Sequence, residues 1–124
     1  MIRERHLTVD GNDMSYCKIS RDNDNTWTIS EWFTNKHHLH QGYGKQVLSS
    51  LLSDMYDEFG RPRSIRYIWN GANDYVMDWL NKFDPVCLLP VAIMKYSEAD
   101  KWEAHVYTLD TDKLLQYALK EKKS

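Results

Sequence analysis

The sequence predicts an α/β domain built on a mixed sheet, and three observations carry that expectation. The first 34 residues read as three strands joined by short polar turns. An unbroken apolar stripe at helical spacing then runs from Val47 to Phe59. After it the pattern alternates strand, helix, strands and a short closing helix. Short turns join antiparallel neighbours, so the opening strands form a meander. The long helix between the third and fourth strands is the connection that a right-handed parallel crossover requires.

Each element has a local reason. Residues Arg5 to Asp10 alternate loosely and end at Asp10-Gly11-Asn12-Asp13, where Asp-Gly is a hairpin signal. Met14 to Ser20 forms a second strand, and Arg21 to Asn25 is a polar turn. Thr26 to Thr34, rich in Thr, Trp, Ile and Phe, is a third strand. The helix that Gly42-Tyr43-Gly44 opens carries Val47, Leu48, Leu51, Leu52, Met55, Tyr56 and Phe59 on one face. Gly60 and Pro62 stop it. Ser64 to Trp69 is a fourth strand, and Asn73 to Phe83 a second helix with Val76, Trp79, Leu80 and Phe83 apolar. Pro85 and Pro90 bracket an extended Val86 to Leu89, which continues from Val91 to Tyr96. Trp102 to Leu109 is the last strand, and Asp110 or Thr111 caps a helix carrying Leu114, Leu115, Ala118 and Leu119.

Composition bounds the function. The 124 residues make one domain, 1–124, with a formal net charge of −2 and no basic excess of the kind that grips nucleic acid. The N-terminus has no apolar signal core and no stretch reaches the ~20 apolar residues of a membrane span, so a cytoplasmic location is expected. Cys17 and Cys87 are read as buried, reduced thiols, since no C-x-x-C pair is present.

The functional argument rests on Gln41-Gly42-Tyr43-Gly44-Lys45. Two glycines let the backbone curl without Cβ clashes. The first amides of a helix have no intrahelical partners, and the helix dipole adds positive potential there. Together they form a seat for a phosphate or diphosphate, with Lys45 as an added cation. The alternative is a glycine loop that merely starts a helix. A Walker A loop is excluded by spacing and by Gln46 after Lys45, and a dinucleotide fingerprint by Val47 where a third glycine or alanine belongs.

The order of elements together with this motif resembles the GCN5-related N-acetyltransferases. The family's Arg/Gln-x-x-Gly-x-Gly/Ala falls on Leu39, His40, Gln41, Gly42, Tyr43 and Gly44, matching at both glycines and departing at Leu39. Ser30-Glu31-Trp32-Phe33-Thr34 occupies the place of the family's fourth strand. The helix opening at Asn73 resembles a second motif whose Gly-Phe ending is replaced by Asp84-Pro85. The resemblance covers about residues 14 to 109. It implies acetyl-CoA, or another acyl-CoA, as donor, with its diphosphate on the glycine-turn amides and its pantetheine between two parallel strands that splay apart. It places a thioester-binding amide near Phe33 or Thr34, and Asn73 on the pantetheine chain.

For catalysis the resemblance implies Glu31 as the base that takes the acceptor amine's proton; the competing reading is an edge glutamate in solvent or an ion pair. The family's usual tyrosine acid falls on Leu80, which leaves Tyr75 and Tyr43 as substitutes. His37, His38 and His40 line the nucleotide's 3′-phosphate region or are solvated. No metal is expected, because loop neighbours point apart and no carboxylate completes a set. His105 is read as structural. Typical members carry two helices before the meander. Without them the acceptor side is open or built by a second subunit, which suits a small amine less than a protein lysine. A homodimer through the last strand fits the surplus aromatics. Compact acetyltransferases of this kind are also encoded by phages. The alternatives to an N-acyltransferase are a non-catalytic relative that binds CoA or a protein, and an unrelated small α/β interaction protein.

Overall fold

The computed structural model describes residues 1–34, 42–69, 79–97 and 100–119, with 69, 87–97 and 100–105 described by their backbone alone. Six strands form one sheet: β1 (Ile2–Val9), β2 (Asn12–Arg21), β3 (Thr26–Thr34), β4 (Ser64–Trp69), β5 (Val86–Ser97) and β6 (Asp100–Leu109). Their order is β1-β2-β3-β4-β6-β5. Among the described residues only β3 and β4 are parallel neighbours; the other described pairs are antiparallel. Two α-helices are described, α1 (Tyr43–Phe59) and α2 (Thr111–Leu119), with a 3-10 turn at Asn81–Phe83 that continues from helical Trp79 and Leu80. This is the α/β architecture expected from the sequence.

The turns follow from their residues. Val9 pairs with Asn12 across Asp10 (φ 54°) and Gly11 (φ 79°), the double left-handed geometry of a tight hairpin that Asp-Gly favours. Asp22 Oδ1 accepts from the amides of Asp24 and Thr26, and Asn25 takes the left-handed φ of 59° that turns the chain into β3. Asp110 caps α2, accepting from the Lys113 amide at 2.9 Å.

Helix α1 lies on one face of β1–β3. Its Val47, Leu48, Leu51, Leu52 and Met55 are buried against Cys17, Ile19, Trp27, Ile29 and Ile65. Leu114, Leu115 and Leu119 of α2, with Leu80 and Phe83, extend the same core. Tyr56 stands at the edge of the stripe and is exposed, a departure from the continuous buried face that its spacing suggested. Phe59 is covered by the guanidinium of Arg21, 4.2 Å from its ring centre. Arg5 of β1 reaches Ser50 and Asp54, and Arg3 reaches Glu58, so the edge strand is tied to the helix by polar contacts. On the other face of β1–β3, Glu4, His6, Glu31 and Phe33 are exposed, with no described element above them.

At the opposite edge of the sheet, β5 pairs with β6 irregularly, its register shifting between Cys87 and Leu89 and again between Leu89 and Ala92. Pro90 falls in the second shift, where an edge strand tolerates a missing N–H. Among the described residues no helix is long and apolar enough to cross a membrane.

Candidate functional site

The central feature is a seam between β3 and β4. Their parallel register runs Thr26↔Ser64, Trp27↔Ile65, Thr28↔Arg66 and Ile29↔Tyr67, and stops. Both strands continue, β3 to Thr34 and β4 to Trp69, but Ser30 to Thr34 have no β4 partner. A bulge explains the parting. On β2, Ile19 pairs with Ile29 and the adjacent Lys18 with Glu31, so Ser30 is an extra residue in β3. Such an insertion bends the strand and raises its twist, which swings the last five residues of β3 away from β4.

The glycine turn sits beside the far end of β3. Gly42 is the N-cap of α1 with φ 83°, a left-handed conformation for which glycine is the natural residue. It has no side chain to fold back onto the helix amides, and no carboxylate stands in the first turn. A Cβ built on Gly42 meets nothing within 4 Å. Gly44 serves a different purpose. A Cβ there would lie 2.9 Å from Thr34 Oγ1 and 3.1 Å from Trp32 Cζ2, so the missing side chain lets the helix start touch β3. Trp32 fastens that contact by donating from Nε1 to the Gly44 carbonyl at 3.0 Å. Thr34 is held in turn by Ser15, whose hydroxyl lies 3.1 Å from Thr34 Oγ1 and donates to the Phe33 carbonyl at 2.7 Å. An uncapped helix start, pinned against β3 where it parts from β4, is a geometry that fits a diphosphate with a thin arm running into the seam.

A row of aromatic rings runs from this turn. The Trp32 and Trp79 centroids are 4.3 Å apart, Trp79 to Phe83 is 4.7 Å, and Phe83 to Tyr117 is 5.3 Å. Lys45 does not reach out as a free cation: its Nζ lies over the Tyr117 ring, 4.5 Å from the centroid. Nε1 of Trp79 is buried and has no hydrogen-bond partner among the described residues.

Glu31 lies on the opposite face of β3. It forms an ion pair with Lys18 across the strands at 3.3 Å, and Lys18 also reaches Glu4 at 3.3 Å. Glu4 in turn contacts His6 at 3.2 Å, and His6 contacts Asp13 at 3.3 Å. The hydrogen bond to Glu4 is the main reason the His6 pKa is raised, and the bond from His6 is the main reason the Glu4 carboxyl is lowered. The rings of His6, Tyr16 and Phe33 lie side by side over this network, with centroid separations of 5.3 and 5.6 Å. Phe33 is among the most exposed large apolar residues described, at 40%. Cys17 is buried and its thiol is pushed up to about 12 by desolvation, which makes it inert.

The structure thus brings Phe33, Thr34, Gly42, Tyr43, Gly44 and Lys45 to one end of the seam, and Glu31 to the face behind it. Gln41, Asn73 and Tyr75, with His37, His38 and His40, lie outside the described residues. Leu80, where the resembled family carries tyrosine, is fully buried in the core. Sequence reasoning missed Trp32 and Ser15 as supports of the turn. Among the described residues no group of three or more His, Cys, Asp or Glu is placed to hold a metal ion.

The same arrangement of strands and helices recurs in solved structures. The ribosomal-protein-S18-alanine N-acetyltransferase of Escherichia coli superposes with a TM-score of 0.63 at 12% identity, over 87% of this chain and 68% of that one. A GNAT-family acetyltransferase from Bacillus anthracis gives 0.60 at 13% identity, over 86% and 64%. One from Elizabethkingia anophelis, with acetyl-CoA bound, gives 0.61 at 10% identity, over 84% and 72%. The fold is that of the GCN5-related N-acetyltransferases. The chain spans 64 to 72% of the length of these three acetyltransferases. No protein-family model matches the sequence, and no curated protein matches it. At such low identity the N-acetyltransferase likeness is one of fold.

Proposed function

We propose that the chain is an acyl-CoA-dependent N-acyltransferase that moves an acetyl group to a primary amine, with a protein lysine as the acceptor the open face suits. The observation that carries this reading is the parting of β3 from β4 beside an uncapped helix start. Acetyl-CoA supplies an activated acyl group as a thioester. The amides around Gly42 to Lys45, with Gln41, seat its diphosphate, and Asn73 bonds its pantetheine. A main-chain amide near Phe33 or Thr34 donates to the thioester oxygen as negative charge develops there. The amine attacks directly, in a ternary complex: the C–N bond forms as the C–S bond breaks, and the amine's proton passes to Glu31, directly or through a water. The departing sulfur takes its proton from Tyr75 or from solvent, since Leu80 offers none.

The acceptor approaches over the face carrying Tyr16, Glu31 and Phe33. Glu31 is ion-paired there with Lys18 at 3.3 Å. That same pairing, together with the buried Leu80, favours a second reading, a CoA-binding relative without transferase activity.

Titration calorimetry with acetyl-CoA tests the donor half. Saturable binding is expected, and Gly42→Glu or Gly44→Glu should abolish it by crowding and repelling phosphate. Wild-type protein that gives no heat at millimolar acetyl-CoA would refute the reading. Thiol release with a panel of amines and lysine peptides separates the two readings: release that is lost in Glu31→Gln excludes the non-catalytic one.

A further inference from the structure

Trp79 presents a group that no described residue uses. A buried indole N–H without a partner forfeits a hydrogen bond and is a rarity that asks for a reason. Its ring lies 4.3 Å from that of Trp32, and Trp32 belongs to the part of β3 that has left β4. Trp32 is also the residue that pins Gly44, so Trp79 stands at the joint between the glycine turn and the opened seam. Phe83 and Tyr117 pack edge-on against its ring, and no acceptor among the described residues meets the nitrogen. A donor held dry in such a wedge matches an uncharged amide carbonyl, which binds best where water does not compete.

We propose that Trp79 Nε1–H is a binding residue for the pantetheine arm of the donor, bonding one of its amide carbonyl oxygens when the arm fills the seam. This rests on the acyl-CoA reading above. It assigns a donor to helical Trp79, one residue before Leu80, the position where the resembled family carries a tyrosine. The bond involves no proton transfer, since an indole donates a hydrogen bond without ionising.

The test compares wild type and Trp79→Phe against two ligands: CoA, and adenosine 3′,5′-bisphosphate, which lacks the pantetheine. The expected result is a loss of about five- to tenfold in CoA affinity for the variant. Binding of the bisphosphate should be unchanged. Because both ligands are read on the same variant, a general loss of stability moves both and is distinguishable. In parallel, the indole ¹H–¹⁵N resonance of Trp79, assigned by its absence in Trp79→Phe, should move downfield in wild type on adding CoA and stay in place with the bisphosphate. An equal loss for both ligands, unchanged CoA affinity, or an indole resonance that CoA leaves in place would overturn the assignment. Wild-type protein that binds neither ligand would instead bring down the acyl-CoA reading, and this proposal with it.

Discussion

Gly42 and Gly44, two positions apart, show how one residue type answers different demands. Gly42 is needed for its φ of 83°, and the space around it is open. Gly42→Ala should therefore cost about 1 kcal/mol of stability, the strain of a left-handed alanine, without a clash. Denaturant unfolding measures this; a variant as stable as wild type would mean the turn relaxes freely. His6 makes a second prediction at this scale. Its pKa is raised above the ordinary 6.5, chiefly by Glu4, so it contributes stability fully below 6.5 that is lost as pH rises through the raised value. Glu4 is lowered below 4.5, chiefly by His6, so its contribution is present above 4.5 and lost as pH falls through the lowered value. The pair is at full effect between about 4.5 and 6.5. His6→Gln should flatten the decline in melting temperature above pH 6.5, by a small amount because both groups face solvent. Parallel melting profiles for the two proteins would show that the contact is idle.

At the level of elements the decisive contact is α1 against the end of β3. Gly44→Ala adds a methyl where Thr34 Oγ1 and the Trp32 ring already stand, and both are tethered, the first by Ser15 and the second by the Gly44 carbonyl. Overpacking of this kind costs about 1–3 kcal/mol, while alanine regains up to about 1 kcal/mol of helix propensity. A net loss near 1 kcal/mol is expected, with a shifted helix start and weaker acetyl-CoA binding. Calorimetry beside unfolding checks it, and unaltered binding would show that the close approach is structural only. Much at this scale was legible in the sequence. Asp10-Gly11 announced the first hairpin, the stripe from Val47 to Met55 announced α1, and Gly42-Tyr43-Gly44 announced where it begins. The rest depends on distant residues meeting. No local pattern marks Ser30 as a bulge, because that depends on the register of Lys18 and Ile19 against Glu31 and Ile29. Nor does the sequence show that Gly44 faces Thr34, or that Trp79 lacks a partner among the described residues, since both depend on how segments distant in the chain pack.

Over the molecule as a whole, the sheet separates two groups of residues. Gly42 and Gly44 lie with α1 on one face, and Glu31 with Tyr16, Lys18 and Phe33 on the other, while β3 and β4 part between them. If the donor is seated on the helix side and the acceptor approaches from the bare side, substitutions should divide the same way. Glu31→Gln removes a carboxylate that does not touch the glycine turn. It should lower turnover by about 10²- to 10⁴-fold, the usual worth of a positioned base, and leave acetyl-CoA affinity within twofold of wild type. Lys18→Met removes the ammonium paired with that carboxylate, while Glu31 itself stays in place. That substitution too should leave acetyl-CoA binding constant, because the pair lies on the face away from the glycine turn. Steady-state turnover, with calorimetry on each variant, measures both effects. A Glu31→Gln protein that loses donor affinity along with turnover would show that the two faces are not independent, and would remove the argument for Glu31 as the base.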